Sequence, residues 1–408
     1  LSSQLKGSHF SLTSSIDFGA RPRDWGWWPK TGRDVAEWYQ EGISLSLDLL
    51  DRLPEARSIL AGSIRSLWRI PSCRDALEAA ASKLLKGGPW IQGWLAVRST
   101  LNYDRKELEK NQDAYDRLRR LAEQLRPSDL LHRARAVILS HNQIYDFSDG
   151  EPDEVDAITS RIRAEELAQE IGRALAIDTS VCQQFVREVL ESKEAPRAYE
   201  CGRGLAEGST DLADMWNEIT ATYKASNPEI RNLSLLGGFL FQAHQRDPAF
   251  CAPVLDAVAA DPQLSSYLPL LQIRVAIDDN AIRRLRDAIH RQATPASAFY
   301  AISNGLIKAA PTKSLDALLK DLSTMPGGVE VAIDILHMRF YCESRSDIES
   351  APHLIAAGRF LLKRANFAQI HGIRDYDLAG VIEKCLGDSK GQSTAIKVCR
   401  SMRGALDK

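Results

Sequence analysis

The sequence predicts an all-α fold of stacked antiparallel helix pairs, an α-solenoid with divergent repeats of the HEAT or tetratricopeptide kind. Three observations carry that expectation. Almost every segment after Thr31 spaces its apolar residues three or four apart, the period of a helix buried along one face. No run of alternating β-branched residues is long enough to argue for a sheet. In the second half of the chain helix starts recur about every 14–20 residues, which gives a helix pair in roughly 34–40 residues, the length of a helical repeat.

The elements follow in order. A first helix from about residue 31 carries Val35, Trp38, Gly42, Leu45, Leu49 and Leu53 on one stripe. Pro54 starts the next at a position where its missing N–H costs nothing, with Ile59, Leu60, Ile64, Leu67 and Trp68 inward. The tetrapeptide SCRD, Ser72 to Asp75, reads as a capping-box start, and Gly87-Gly88-Pro89 stops the helix it opens. A long charged helix is expected over 104–126 with Leu108, Tyr115, Leu118, Ala122 and Leu125 inward. Pro127 ends it, and Ser128 caps a successor whose stripe is Leu131, Ala134 and Ile138.

The acidic, turn-rich stretch DFSDGEPDEVD, Asp146 to Asp156, is the expected boundary. Composition divides in the same sense, since seven of eight tryptophans precede residue 95 and only Trp216 lies beyond. The expected organisation is an extended tryptophan-rich segment over 1–30, a helical domain over 31–145 and a helical-repeat domain over 157–408. In that last part a capping residue followed by proline marks helix starts, at Asn227-Pro228, Asp247-Pro248, Asp261-Pro262 and Thr294-Pro295. Starts are expected near 210, 228, 248, 262, 279, 295, 313 and 328.

Composition bounds the function. A chain of 408 residues exceeds one hydrophobic core, so several domains or an elongating array are needed. The net charge of −2 gives no global attraction to nucleic acid or to an anionic membrane. No apolar run approaches the roughly 18–20 residues of a spanning helix and no signal peptide is visible, so a cytoplasmic protein without membrane partners is expected. The seven cysteines, scattered and never spaced C-x-x-C, read as reduced thiols packed like small apolar residues. Leu1 rather than Met opens the chain, which suggests a piece of a longer protein.

Strong catalytic motifs are absent: there is no P-loop, no H-E-x-x-H, no G-x-S-x-G and no C-x-x-C pair, and no cofactor is expected. CGRGLAEG, Cys201 to Gly208, lacks the spacing and the preceding strand of a nucleotide loop; glycines for close helix packing explain it. Asp153, Glu191 and Lys193 are an acidic-plus-lysine set of the kind metal-dependent nucleases use. Glu191 and Lys193, however, end a helix whose stripe is Phe185, Val186, Val189 and Leu190. The clusters RLRR (Arg117 to Arg120) and IRRLRD (Ile282 to Asp287) are interrupted by acids at helical spacing and read as solvated faces.

Two candidate sites remain. In IDFGARPRDWGWWPK, Trp25, Trp27 and Trp28 sit among Arg21, Arg23 and Lys30, the mix that stacks on bases or anchors a partner; the alternative is a loop packed beside Trp38, Tyr39 and Trp68. Arg135 and His141, in RAVILSH, are similar to the motif of all-α HEPN ribonucleases, where the histidine serves acid–base chemistry and the arginine holds the scissile phosphate. Arg284 and His290 repeat that spacing. Ala136 and Leu285 stand where that family usually has a polar residue.

The stretches GARPRDWGWWPKT, LRPSDLLHRARAVILS and GRGLAEGSTDLADMW, with the helix-pair tail, resemble the C-terminal helical part of bacterial STAND-type NTPases, many of which act in defence against phage. The resemblance implies a sensor that recognises a foreign protein and releases a nucleotide switch for oligomerisation, with the ATPase motifs outside this chain. The expected function is therefore a non-catalytic recognition or scaffold module that binds a protein partner, oligomerising through the full-length protein. The alternative is a HEPN-like ribonuclease using Arg135 and His141.

Overall fold

The computed structural model describes residues 32–140, 157–367, 375–387 and 391–406, apart from positions 51 and 54. Among the described residues every regular element is a helix and none is a strand, as the apolar period predicts. In order they are α1 (Gly32–Asp48), α2 (Ala56–Trp68), α3 (Arg74–Lys86), α4 (Ile91–Tyr103), α5 (Arg105–Leu108), α6 (Gln112–Leu125), α7 (Leu130–Ile138), α8 (Ala157–Ile177) and α9 (Thr179–Leu190). Then come α10 (Ala198–Gly208), α11 (Leu212–Ala225), α12 (Ser234–Arg246), α13 (Pro248–Ala260), α14 (Leu268–Gln272) and α15 (Asp279–His290). Two 3-10 stretches, Ala296–Ile302 and Gly305–Ala309, lead to α16 (Thr312–Leu322), α17 (Gly328–Ser344), α18 (Pro352–Arg364), α19 (Asp375–Leu386) and α20 (Gln392–Leu406).

Packing follows the order of a stacked helical array. In the N-terminal part α1 packs on α2 and α3, α2 on α4, and α4 on α6; in the C-terminal part α16 packs on α17 and α18, α17 on α19, and α18 on α20. A helix that meets both the next helix and the next but one is the signature of paired helices in alternating layers. The residues group into two compact units, one running to 204 and including 226–232, the other comprising 205–225 and everything from 233 onward.

The first unit is built on two fully buried tryptophans, Trp68 and Trp90. Their indole N–H groups donate to the Ala114 and Arg57 carbonyls, each at 3.2 Å, so burial leaves neither donor orphaned. Gly204 on α10 lies so close to α8 that a Cβ there would run into the Gln169 carbonyl oxygen. CGRGLAEG is thus a helix surface shaped for contact, as expected. The α9 stripe of Phe185, Val186, Val189 and Leu190 is buried, also as expected.

The local differences from expectation have identifiable causes. On α1 Gly42 is buried as expected, together with Ala36, Tyr39, Ile43 and Ser46, while Trp38 is half-buried and Leu45 exposed, so the stripe is rotated by about one residue. SCRD does not form a capping box: Pro71–Cys73 makes a 3-10 turn, and Asp75 pairs instead with Arg117 across to α6. The long charged helix is broken into α5 and α6, because the Asn111 side chain accepts the Ala114 N–H and caps a fresh start. Asp129 rather than Ser128 caps α7, accepting the His132 N–H at 3.0 Å.

In the second unit Asp247 caps α13 as expected, accepting from the Ala249 N–H. Asn227-Pro228 opens only a turn, and α12 begins at Ser234. Asp261-Pro262 and Thr294-Pro295 lead to short elements rather than full helices. The Thr294 hydroxyl, which a helix cap would need, donates to the Ser265 carbonyl at 2.8 Å.

α17 is the centre of this unit. Val331, Ala332, Ile333, Ile335, Leu336 and Phe340 cover more than half of its circumference, and all are buried, while Glu330, Asp334 and Tyr341 lie on the remaining face. The Arg339 guanidinium lies in the same interior. It bonds the Glu343 carboxylate at 2.6 Å and donates to the carbonyls of Ile307, Lys308 and Ala310 at 2.8–2.9 Å. Arginines take helix-end carbonyls elsewhere too. Arg74 reaches Trp68, Arg197 reaches Val137, Arg246 reaches Ala206 and Ser209, and Arg359 reaches Cys385.

Two predictions follow from these interactions. Arg339→Ala leaves the Glu343 charge buried without its partner and is expected to cost about 3–5 kcal/mol. Arg339→Met with Glu343→Leu removes both charges and recovers part of that loss; urea denaturation of the two variants checks the difference. The second concerns Asp104, a buried carboxylate bonded by Arg65 and Arg69 at 2.5–3.2 Å. Burial pushes this carboxyl up, but the bonds and charges of the two arginines outweigh it and hold the group below the usual carboxylate range. A carboxyl depressed in the folded state stabilises above its unfolded pKa of about 3.9 and loses that contribution as pH falls through the folded value. Asp104→Asn is expected to cost stability at neutral pH, with the gap to wild type closing as pH falls below the unfolded value and through the folded one. Thermal melts across that range test it, and a gap independent of pH contradicts the assignment.

Candidate functional site

An open cleft of about 660 Å³ lies in the second unit, where the helical array gives way to short elements. One rim is Ser266, Tyr267 and Leu270; the other is Pro295, Ser297, Ala298, Tyr300 and Ala301. The second rim takes its shape from sequence. Pro295 adopts an extended backbone (φ −68°, ψ 149°) that no helix continues, and the following residues close into the 3-10 stretch Ala296–Ile302. Phe299 and Ile302 are fully buried beneath it, so Tyr300 is turned outward and half-buried. The Thr294–Ser265 hydrogen bond ties the two rims together at their base.

Tyr267 is held by a neighbouring ring. The ring of Tyr223, itself buried, meets Tyr267 edge-on at 6.2 Å and 90°. α17 packs behind Ala296–Ile302 and brings up Glu330 and Asp334. Burial pushes the Tyr300 phenol up, and the Asp334 and Glu330 carboxylates push it in the same direction. The result is an aromatic and aliphatic surface with two hydroxyl-bearing serines at its edges.

A second cluster joins α17 to α19. His337 Nδ1 is 3.1 Å from the Asp377 carboxylate, and Tyr376 meets its ring edge-on at 5.6 Å. Arg345 donates to the Tyr341 hydroxyl at 2.9 Å beside it. This resembles an acid–base pair in composition but not in access. Gly380 covers the other edge of the ring so closely that a Cβ there would lie 2.9 Å from His337 Cδ2 and 3.2 Å from Nε2. The arrangement works as a joint between helices.

Arg135 sits on α7 with its guanidinium bonded to both oxygens of Glu188, at 2.7 and 2.5 Å. Among the described residues the histidine beside it is His132, whose Nε2 is 3.5 Å from Nη1 and whose Nδ1 bonds the capping Asp129 at 2.7–2.8 Å. His141 lies outside the described residues, as do Arg21, Arg23, Trp25, Trp27, Trp28, Asp153 and the stretch Asp146–Asp156. Arg284 and His290 are not brought together. Arg284 is buried against Asp256 and Gln272, whereas His290 turns to Asp321.

The basic clusters are not uniformly solvated faces. Arg117 bridges to Asp75 and Glu78, Arg286 to Asp321, and Arg284 is almost wholly enclosed. Five cysteines, Cys73, Cys182, Cys201, Cys251 and Cys385, are buried as expected. Burial pushes Cys73 up to about 11 and Cys251 up to about 12, so both stay protonated and unreactive at neutral pH. Among the described residues no cluster of three or more histidine, cysteine, aspartate or glutamate side chains is placed to hold a metal ion, and no helix is long and apolar enough to cross a membrane.

No protein-family model, no curated protein and no solved structure matches the chain.

The Arg135–Glu188 pair yields a prediction that separates structure from chemistry. Replacing either residue by alanine is expected to cost about 1–2 kcal/mol, since one half-buried charge loses its partner. The double variant is expected to cost little more than either single one, and a double-mutant cycle from urea melts reads the coupling. Strictly additive losses count against the pair as a structural bridge.

Proposed function

We propose that the chain is a recognition module that binds a segment of a partner protein in the cleft between residues 265–270 and 295–301. The observation that carries this reading is the pair Tyr267 and Tyr300, both half-buried, facing one open cleft of about 660 Å³. Such a volume falls within the range of about 300–1,000 Å³ typical of ligand sites. Tyrosine offers a large rigid contact area at small entropic cost and is enriched where proteins meet. The rims are fixed by backbone and by the Thr294–Ser265 bond, so little order has to be created on binding.

The groups that could carry catalysis are engaged in the fold, which favours the same reading. Arg135 is held by Glu188, and His337 by Asp377 and Gly380. In a larger STAND-type protein, occupation of the cleft by a foreign protein would be the event that releases the switch. The chain would then act without chemistry of its own.

A photo-cross-linking side chain placed at the exposed Ser297 tests this in cells. A partner protein is expected to cross-link to the intact chain and to be lost from Tyr267→Ala/Tyr300→Ala. Ser297→Glu, on the exposed rim, should weaken capture while leaving the helical circular dichroism unchanged. Equal capture by wild type and the double tyrosine variant defeats the proposal.

A further inference from the structure

The one face of α17 that the core does not cover carries charges that the fold leaves unmatched. Glu330, Asp334, Met338, Tyr341 and the C-terminal capping residue Arg345 are spaced four, four, three and four apart. At about 100° per residue they fall in one stripe about 80° wide. Glu330, Asp334 and Met338 are half-buried, and Tyr341 and Arg345 are exposed.

The stripe is acidic at its start and basic at its end. Among the described residues neither Glu330 nor Asp334 makes an ion pair, although Asp316 and Asp321 of the same unit are matched with Lys320 and Arg286. At the other end Arg345 donates through Nη1 to the Tyr341 hydroxyl at 2.9 Å, and its guanidinium lies 5.6 Å from the centre of that ring. The hydroxyl and the ring hold the arginine in place. No carboxylate among the described residues engages it, and its Nε–Nη2 edge, the one that grips a carboxylate side-on, makes no bond.

A partner that fits this face carries the same charges in reverse order, and a second copy of α17 run antiparallel supplies them. At 1.5 Å per residue Glu330 and Arg345 are about 22 Å apart along the axis, with Met338 close to midway. A two-fold axis through Met338 sets position 345 of one copy level with position 331 of the other, between Glu330 and Asp334. Arg345 then stands between two carboxylates one turn apart and relieves their repulsion. The methionines meet at the centre with a tyrosine on either side, an apolar middle between charged ends. The register is specific: a shift of one turn in either direction leaves Arg345 level with only one of the two carboxylates, and a parallel pairing sets arginine against arginine.

We propose that this face of α17 joins two copies of the chain, paired antiparallel about Met338, with Arg345 of each copy seated between Glu330 and Asp334 of the other. The pairing goes beyond the recognition reading and does not rest on it.

Sedimentation velocity of the intact chain, from low to high micromolar concentration, is the first test, and a reversible monomer–dimer equilibrium is expected. Arg345→Glu makes the stripe wholly acidic and Glu330→Arg/Asp334→Arg makes it wholly basic. Each variant alone is expected to dimerise at least about tenfold more weakly, with unchanged helical circular dichroism. Mixed in equal amounts the two have complementary faces, and a mixed dimer of about wild-type strength is expected. A chain that stays monomeric throughout the concentration range overturns the proposal. So does a dimer that Arg345→Glu leaves intact, which belongs to another surface, and so does a mixture of the two folded variants that remains monomeric. Should the double arginine variant fail to fold, Arg345→Glu alone decides between these outcomes.

Discussion

The fold depends on how its helix ends are satisfied. Every helix finishes with carbonyl groups that have no partner within the helix and sit at the negative end of its dipole. A chain of many short helices multiplies those ends. Glycine in the left-handed conformation is one common solution, yet among the described residues only Gly88, Gln292, Gly327 and Asp347 have positive φ. Arginine supplies much of the remainder. Its planar fork of five donors is always charged and can span several carbonyls at once, as Arg339 does with Ile307, Lys308 and Ala310. Because the donor belongs to one element and the carbonyls to another, each such bond also fixes the position of neighbours within a unit.

This constraint explains why α17 is central to the second unit. A helix that is apolar over most of its surface packs with little preference among neighbouring rotations. Its buried polar groups supply the register: Arg339 fixes it to the 305–310 backbone and His337 fixes it to Asp377 on α19. Such buried charges are costly to desolvate, and their retention is consistent with a role in specifying one arrangement rather than adding stability. With α17 set in this way, Glu330 and Asp334 come to lie beside Tyr300.

The fold class was legible in the sequence because apolar period is a property of the chain itself. The stripes of α6 and α9, the cap at Asp247 and the close-packing glycine in CGRGLAEG could all be read directly. What could not be read were the features whose partner is remote or has no side chain. The arginine-rich IRRLRD looked like a solvated face, yet Arg284 is enclosed, because Asp256, Gln272 and the Ala252 carbonyl converge on it from other elements. A backbone carbonyl leaves no trace in composition. The cap-plus-proline signal at Thr294-Pro295 was true as a start but silent on what followed, since the threonine hydroxyl was taken by Ser265. The cleft was missed for the same reason. SSYLPLL and TPASAFY each place a tyrosine close to a proline within a run of small residues, but only the fold sets the two side by side.

That the cleft occurs where the helical order lapses has a physical basis. Full-length helices in a stacked array pack the ridges of one into the grooves of the next and leave little space between neighbours. Between α13 and α16 the array instead contains the short α14, one longer helix and three 3-10 stretches, Ser265–Tyr267 among them. A 3-10 element is thinner and closes fewer residues per length than the helix it replaces, so it leaves space that no side chain of the neighbouring elements occupies. The two tyrosines border that space and do not fill it, which a stabilising core would require them to do. Helical order is relaxed at this place, and such departures are where binding surfaces are found on otherwise regular scaffolds.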